Sequence, residues 1–207
     1  MPFGYIGQNQ TKQKIKNSGV LSSFEISHLE KQGHAGGSLE FITSTTVTSM
    51  TSAVDFTEVF TDEYNVYYLE TKKIQSSQTG YTTGIQFYEN GTLESAGVYH
   101  YGLQSGRANG TFGNGSTTTS AWIHIGADTD STSGNSSNSY CYIYNPTDSS
   151  KYTGVTFQGT GQFGTTFAMR YGGGVLPQAS AVNGFRLRST YSTGQITGEF
   201  TLYGVKQ

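Results

Sequence analysis

The sequence predicts an all-β fold, and three observations carry that prediction. Gly (28), Tyr (15) and Phe (12) are abundant, Ser and Thr recur throughout, and only 13% of the residues are charged. Strands and tight turns use aromatic, β-branched and glycine residues, whereas helices favour the Ala, Leu and Glu that are sparse here. From Leu39 onward, alternating segments recur about every eight to fifteen residues with turn clusters between them, the spacing of a sandwich or barrel. The closing stretch shows the period most clearly. Phe185 and Leu187 interleave with Gly184, Arg186 and Arg188, and Phe200, Leu202 and Gly204 interleave with Thr201, Tyr203 and Val205, which makes two strands joined by a Ser/Thr/Gly turn. The last strand is expected to close a sheet rather than lead into another domain.

Residues 1–17 have no sustained period and mix Gly, Gln, Lys and Asn with the apolar anchors Phe3, Tyr5 and Ile6, so they read as an extended arm. A single helix signal follows. Ser22 as N-cap with Glu25 three residues on forms a capping box, Leu21 and Ile26 have the spacing of a hydrophobic staple, and Gly33 supplies the stop. A helix over about 23–32 is too short to stand alone in water, so Phe24, Ile26 and Leu29 are expected to pack on another surface.

Strands are expected at 38–48, 53–57, 65–74, 83–88, 94–103, 121–126, 139–145, 154–158, 165–171, 183–189 and 196–205. Asn90-Gly91 between Phe87 and Leu93 predicts a tight type I′ hairpin, since both central residues there need positive φ. Residues 113–120 and 128–138 are polar and of low complexity and read as loops.

Few residues point to chemistry. Gly159-x-Gly161-x-x-Gly164 matches the dinucleotide fingerprint, but a strand rather than a helix follows and no acidic ribose partner lies about twenty residues on, so the segment reads as a hairpin. Asp128-Thr129-Asp130 opens like a calcium loop, yet Ser139 stands where an EF-hand needs a bidentate Glu, and residues 128–134 read as a solvated loop. His28, His34, His100 and His124 show no zinc spacing, and His100 and His124 read as packed or hydrogen-bonded strand residues. The lone Cys141 alternates with Tyr140 and Tyr142 and reads as a buried strand position. No cofactor or metal is expected, and no GxSxG elbow is present. Carboxylates are scattered through the chain, and sequence distance alone does not pair them for glycoside hydrolysis.

Net charge −2 and a pI near 6.1 give no basic footprint for nucleic acid, and Lys12, Lys14 and Lys16 read as a solvated run. No apolar stretch approaches a membrane span, and residues 1–10 lack the basic-then-apolar layout of a signal peptide. Tyrosines such as Tyr67, Tyr68, Tyr140 and Tyr142 occupy both parities of their strands, so some must face outward, as subunit interface, as sugar platform or as ordinary surface.

The segments NGFRLRS and GQITGEFTLYGVK, with VDFTEVFTDEYNVYYLE and YNPTDSSKYTGVTF upstream, resemble a family of β-sandwich structural proteins from tailed bacteriophages. The opening MPFGYIGQN is similar to proteins of marine cyanophages. The resemblance implies a non-enzymatic virion structural protein, a capsid decoration or a tail- or fibre-associated subunit, assembled in the host cytoplasm. With it, the reading is a single jelly-roll-type antiparallel β-sandwich at 38–207, preceded by an arm and short helix at 1–37. In this reading Phe3, Tyr5, Ile6, Phe24, Ile26 and Leu29 anchor the chain to other virion proteins, and the sandwich forms a symmetric oligomer, expected to be a trimer. The competing reading is a carbohydrate-binding host-attachment module whose partner is a host-surface glycan. Far-UV circular dichroism should give a β-dominated spectrum with helix confined to about ten residues. Helix over a third of the chain would contradict the fold.

Overall fold

The computed structural model of the chain describes residues 38–132 and 134–206. The arm and the short helix, with their six anchor residues, lie outside the described residues. Eight of the strands make up a core: β1 (Leu39–Thr51), β2 (Val54–Phe56), β3 (Val66–Ser76), β4 (Thr83–Glu89), β8 (Ile123–His124), β9 (Ser137–Tyr144), β12 (Val182–Ser189) and β13 (Ile196–Val205). They pair antiparallel in the orders β1-β13-β3-β9 and β2-β12-β4-β8. Taken in chain order, the first core strand pairs the last, the second the seventh, the third the sixth and the fourth the fifth. That is the wrapping of a jelly roll, and it confirms the expected fold.

Two hairpins interrupt this winding. β6 (Tyr99–Arg107) and β7 (Phe112–Ser120) enter between β4 and β8, and β10 (Tyr152–Phe163) and β11 (Thr166–Ala179) enter between β9 and β12. Both hairpins add to the β9 edge, so the first sheet grows to eight strands, β1-β13-β3-β9-β10-β11-β6-β7. The short β5 (Thr92–Leu93) folds back on β4 through Asn90 and Gly91, whose φ values of 49° and 81° are those of the expected type I′ turn.

The core lies between the sheets. Strand alternation sends Tyr67, Leu69, Cys141, Ile143, Phe200 and Leu202 inward from the large sheet, against Phe56, Ile85, Phe87, Phe185 and Leu187 from the small one. Phe185 stacks on Phe56 at 4.7 Å, and Phe60 bridges Phe185 and Tyr67. Buried phenols need partners, and Tyr67 and Tyr99 find them in the backbone. Tyr67 donates to the Thr61 carbonyl and accepts from the Thr61 N–H, while Tyr99 donates to the Glu94 carbonyl and accepts from the Phe87 N–H.

The small sheet reaches the added hairpins through β4 and β8, with Phe87 on Tyr99, Ile123 against Gly174 and His124 against Tyr101, and further along their inner face is covered by the segment after β8. Its backbone lies so close to β10 that a Cβ on Gly161 would sit 2.2 Å from the Asp128 carbonyl, and one on Gly159 would sit 2.9 Å from the Ala127 nitrogen. The glycine fingerprint therefore serves close backbone approach within a hairpin, as expected, with Gly164 at positive φ in the turn. The same contact overturns the reading of 128–134 as a solvated loop at its first three residues, while Ser131, Thr132 and Gly134 are exposed as expected. Asp128, Thr129 and Asp130 are buried because this segment is the lid over the added strands.

Several strand boundaries differ from expectation, among them the strand expected at 121–126, which narrows to Ile123–His124. Residues 113–120 are not a loop but most of β7, paired to β6 along its length. As an edge strand, β7 is held by its backbone ladder and carries polar side chains on both faces, so no apolar period marked it. Residues 94–103 do not form one strand: at 94–98 the Glu94 carboxylate accepts from the Ala96 N–H, a turn precedes β6, and only from Tyr99 does the chain extend. β10 and β11 run well beyond 154–158 and 165–171, because their glycines pair as well as any residue once a neighbouring strand is present.

Phe185→Ala should lower stability by about 3–5 kcal/mol in urea titration. Phe112→Ser, at a side chain 83% exposed on β7, should change it by no more than about 0.5 kcal/mol.

Candidate binding face

The outer face of the eight-stranded sheet carries the most distinctive side chains. One cross-strand row runs Phe41, Tyr203, Tyr68, Tyr142, Thr156, Gly173, Gly102, Ser116, with a residue from every strand. Directly opposed residues on one face lie close enough to touch. Its first half is an aromatic terrace, with ring centroids 6.1 Å apart for Phe41 and Tyr203, 6.1 Å for Tyr203 and Tyr68, and 5.2 Å for Tyr68 and Tyr142. Tyr140 and Tyr144 on β9 widen it. Each leans over β10, where the Tyr140 hydroxyl donates to Gln158 at 3.0 Å and the Tyr144 hydroxyl shares a 3.0 Å hydrogen bond with Thr156. Burial leads and the nearby Glu70 adds in raising the Tyr68 phenol above its ordinary value.

The second half of the row drops by the height of a side chain. Gly173 and Gly102 floor a trough of about 540 Å³, walled by His100, Val175, Ser116 and Thr118. Tyr171 and Gln104 stand in the next row. A second, smaller hollow of about 220 Å³ lies among Tyr68, Lys72, Asn138 and Gln158.

Beneath the sheet, polar groups are committed to one another. Asp128 lies between Arg170, at 2.6 Å, and Arg107, at 3.1 Å, and Arg107 also stacks on Phe163. Burial works against the charged form of Asp130, but hydrogen bonds from Thr132, Asn135 and Thr79 outweigh it and hold the carboxyl below the usual carboxylate range. The two aspartates expected to open a cation loop thus spend their oxygens on protein donors. Among the described residues no cluster of three or more His, Cys, Asp or Glu has metal-binding geometry. Burial pushes the Cys141 thiol up, in keeping with its inward strand position.

The two described histidines part company. His124 faces inward, where its Nδ1 shares a 2.7 Å hydrogen bond with the Thr82 hydroxyl and its ring packs 4.7 Å from Tyr101. His100 instead walls the trough as a half-buried strand residue and, among the described residues, has no hydrogen-bond partner. The sequence reading also missed Gly102, Gly173 and the whole β7 wall. Only the expectation that some of the strand tyrosines, Tyr68, Tyr140 and Tyr142 among them, face outward signalled this face beforehand.

Comparison with protein-family profiles, with curated proteins and with solved structures gave no match.

Burial, followed by the positive charge of Arg170, lowers the His124 pKa to about 4. The unfolded chain takes up that proton near 6.5, so the stabilisation is complete above that pH and drains away as pH falls toward 4, by up to about 3 kcal/mol. Urea titrations at several pH values should show this slope, and His124→Gln should flatten it by about one proton. The Asp130 contribution is separable, because it is lost only as pH falls below the ordinary carboxylate range.

Proposed function

We propose that the protein is a non-enzymatic structural subunit of a bacteriophage particle, docked through its N-terminal arm and joined to its neighbours through the aromatic terrace. The observation that carries this reading is the run Phe41, Tyr203, Tyr68 and Tyr142 on an open sheet face, with Phe41 60% exposed. Aromatic side chains offer large area at low entropic cost and are enriched where proteins meet. The terrace reaches the sheet edge at β1, a strand with no Lys or Pro to deter pairing. A jelly roll suits such a role, since it presents broad sheet faces on a rigid core, and the architecture is shared by capsid and lectin domains. The resemblance of the sequence to tailed-phage structural proteins gives the same direction.

A second reading, a carbohydrate-binding host-attachment module, is favoured by the glycine-floored trough beside the terrace. Jelly-roll architecture alone does not choose between them.

Purified particles should contain the chain in stoichiometric amount by mass spectrometry. Deleting residues 1–17, or replacing Phe3, Tyr5 and Ile6 by Ser, should leave a folded sandwich that no longer incorporates, each lost side chain removing on the order of 1.5–3 kcal/mol of burial. Phe41→Ser with Tyr203→Ser should dissociate the expected trimer in light scattering. Wild-type incorporation of the truncated chain would show that the arm is not the anchor, and absence of the chain from particles would end the reading.

A further inference from the structure

The glycines of the outer face differ in why they are glycine. At Gly173 a Cβ would lie 2.6 Å from the Val155 carbonyl, so the fold itself demands glycine there. At Gly102 a Cβ would meet nothing within 4 Å, and φ is not positive, so neither packing nor backbone conformation requires it. Glycine in a strand interior weakens it, and one with no internal reason marks a place where something outside the chain approaches the backbone. Gly102 lies between Gly173 and Ser116 in the row, and the floor from β11 to β7 spans two strand spacings, about 10 Å.

The walls indicate what approaches. Among the described residues, the side chains of His100, Gln104, Ser116, Thr118 and Tyr171 have no hydrogen-bond partner within the chain, whereas Tyr140 and Tyr144 on the terrace are both engaged. Tyr171, 48% exposed, stands beside the trough as a stacking platform. No Asp, Glu, Lys or Arg takes an outward position on β10, β11, β6 or β7, because Arg107 and Arg170 both turn inward to Asp128. A ligand here meets hydroxyls, amides, an imidazole and an aromatic ring, but no fixed charge. The volume of about 540 Å³ is that of an ordinary small-molecule site, which run from about 300 to 1,000 Å³.

We infer that the trough over Gly102 binds a neutral glycan, with a sugar ring over Tyr171 and hydroxyls bonded by His100, Gln104, Ser116 and Thr118. The site goes beyond the assembly role proposed above and uses neither the arm nor the aromatic terrace. It gives the subunit a second task, contact with an uncharged polysaccharide surface.

The test uses the full chain and a set of neutral gluco-, manno-, galacto- and N-acetylated oligosaccharides, with sialylated and sulfated ones for comparison, read by saturation-transfer NMR and titration calorimetry. Binding of at least one neutral member is expected. Gly102→Leu, whose side chain enters open space, should weaken it by about tenfold or more, and Tyr171→Ala by about tenfold. Phe41→Ser should leave it unchanged while altering oligomeric state, so loss of the trough and loss of the interface are told apart. Should Gly102→Leu not fold, Tyr171→Ala decides, since that ring is half exposed. The inference is overturned if no neutral oligosaccharide binds at millimolar concentration, if charged ones are preferred, or if both variants bind as the wild type does.

Discussion

Strand β9 belongs to two ladders at once, and its parity sets both faces of the large sheet. It pairs with β3 on one side and β10 on the other, with Ser139, Cys141 and Ile143 inward and Tyr140, Tyr142 and Tyr144 outward. A slip of one residue would put three phenols into the core and expose the residues that fill it. The cost of that exchange fixes the register. Once fixed, it carries through β10 to β11, β6 and β7, so the position of Gly102 opposite Gly173 is a remote consequence of how Ile143 packs.

The added strands pose a problem that the jelly roll does not solve for them. A sheet face must be covered, and the small sheet ends at β8. Cover comes from β8 and from the backbone segment after it, which lies against Gly159 and Gly161 with Asp128 holding Arg107 and Arg170 beneath it. A buried ion pair adds little net stability, because desolvation offsets the attraction, but losing one partner leaves uncompensated charge. Asp128 holds both guanidinium groups of the added strands on their inner side, and the outer side of those strands carries no charge.

How much of this was legible follows from where side chains carry the pattern. β13 was readable to the residue at its start and end, since Ile196, Phe200 and Leu202 alternate against polar neighbours and bury one face. β7 was unreadable, because Gly115 and Thr117 face inward with no more hydrophobicity than Ser116 and Thr118 face outward. The lid at 128–130 was misread for the opposite reason, since its aspartates look like solvent-facing residues, whereas Asp128 is held by arginines of distant strands and Asp130 by Thr79 and the Gly164 amide as well as by its neighbours Thr132 and Asn135. Local sequence reports the periodicity of a face and is silent on partners that topology supplies. The aromatic half of the candidate face was therefore visible in part, and the glycine half was not.

The two inserted hairpins leave the chain at different points and meet only where β11 pairs with β6. β7 touches the sheet through β6 alone. Its sequence is thus nearly uncoupled from the core that makes the fold possible, and substitutions along Asn114, Ser116 and Thr118 carry little penalty for folding. Over generations this wall can diversify quickly while the winding beneath it stays constant, so related lineages sharing this scaffold would differ most along that one ribbon.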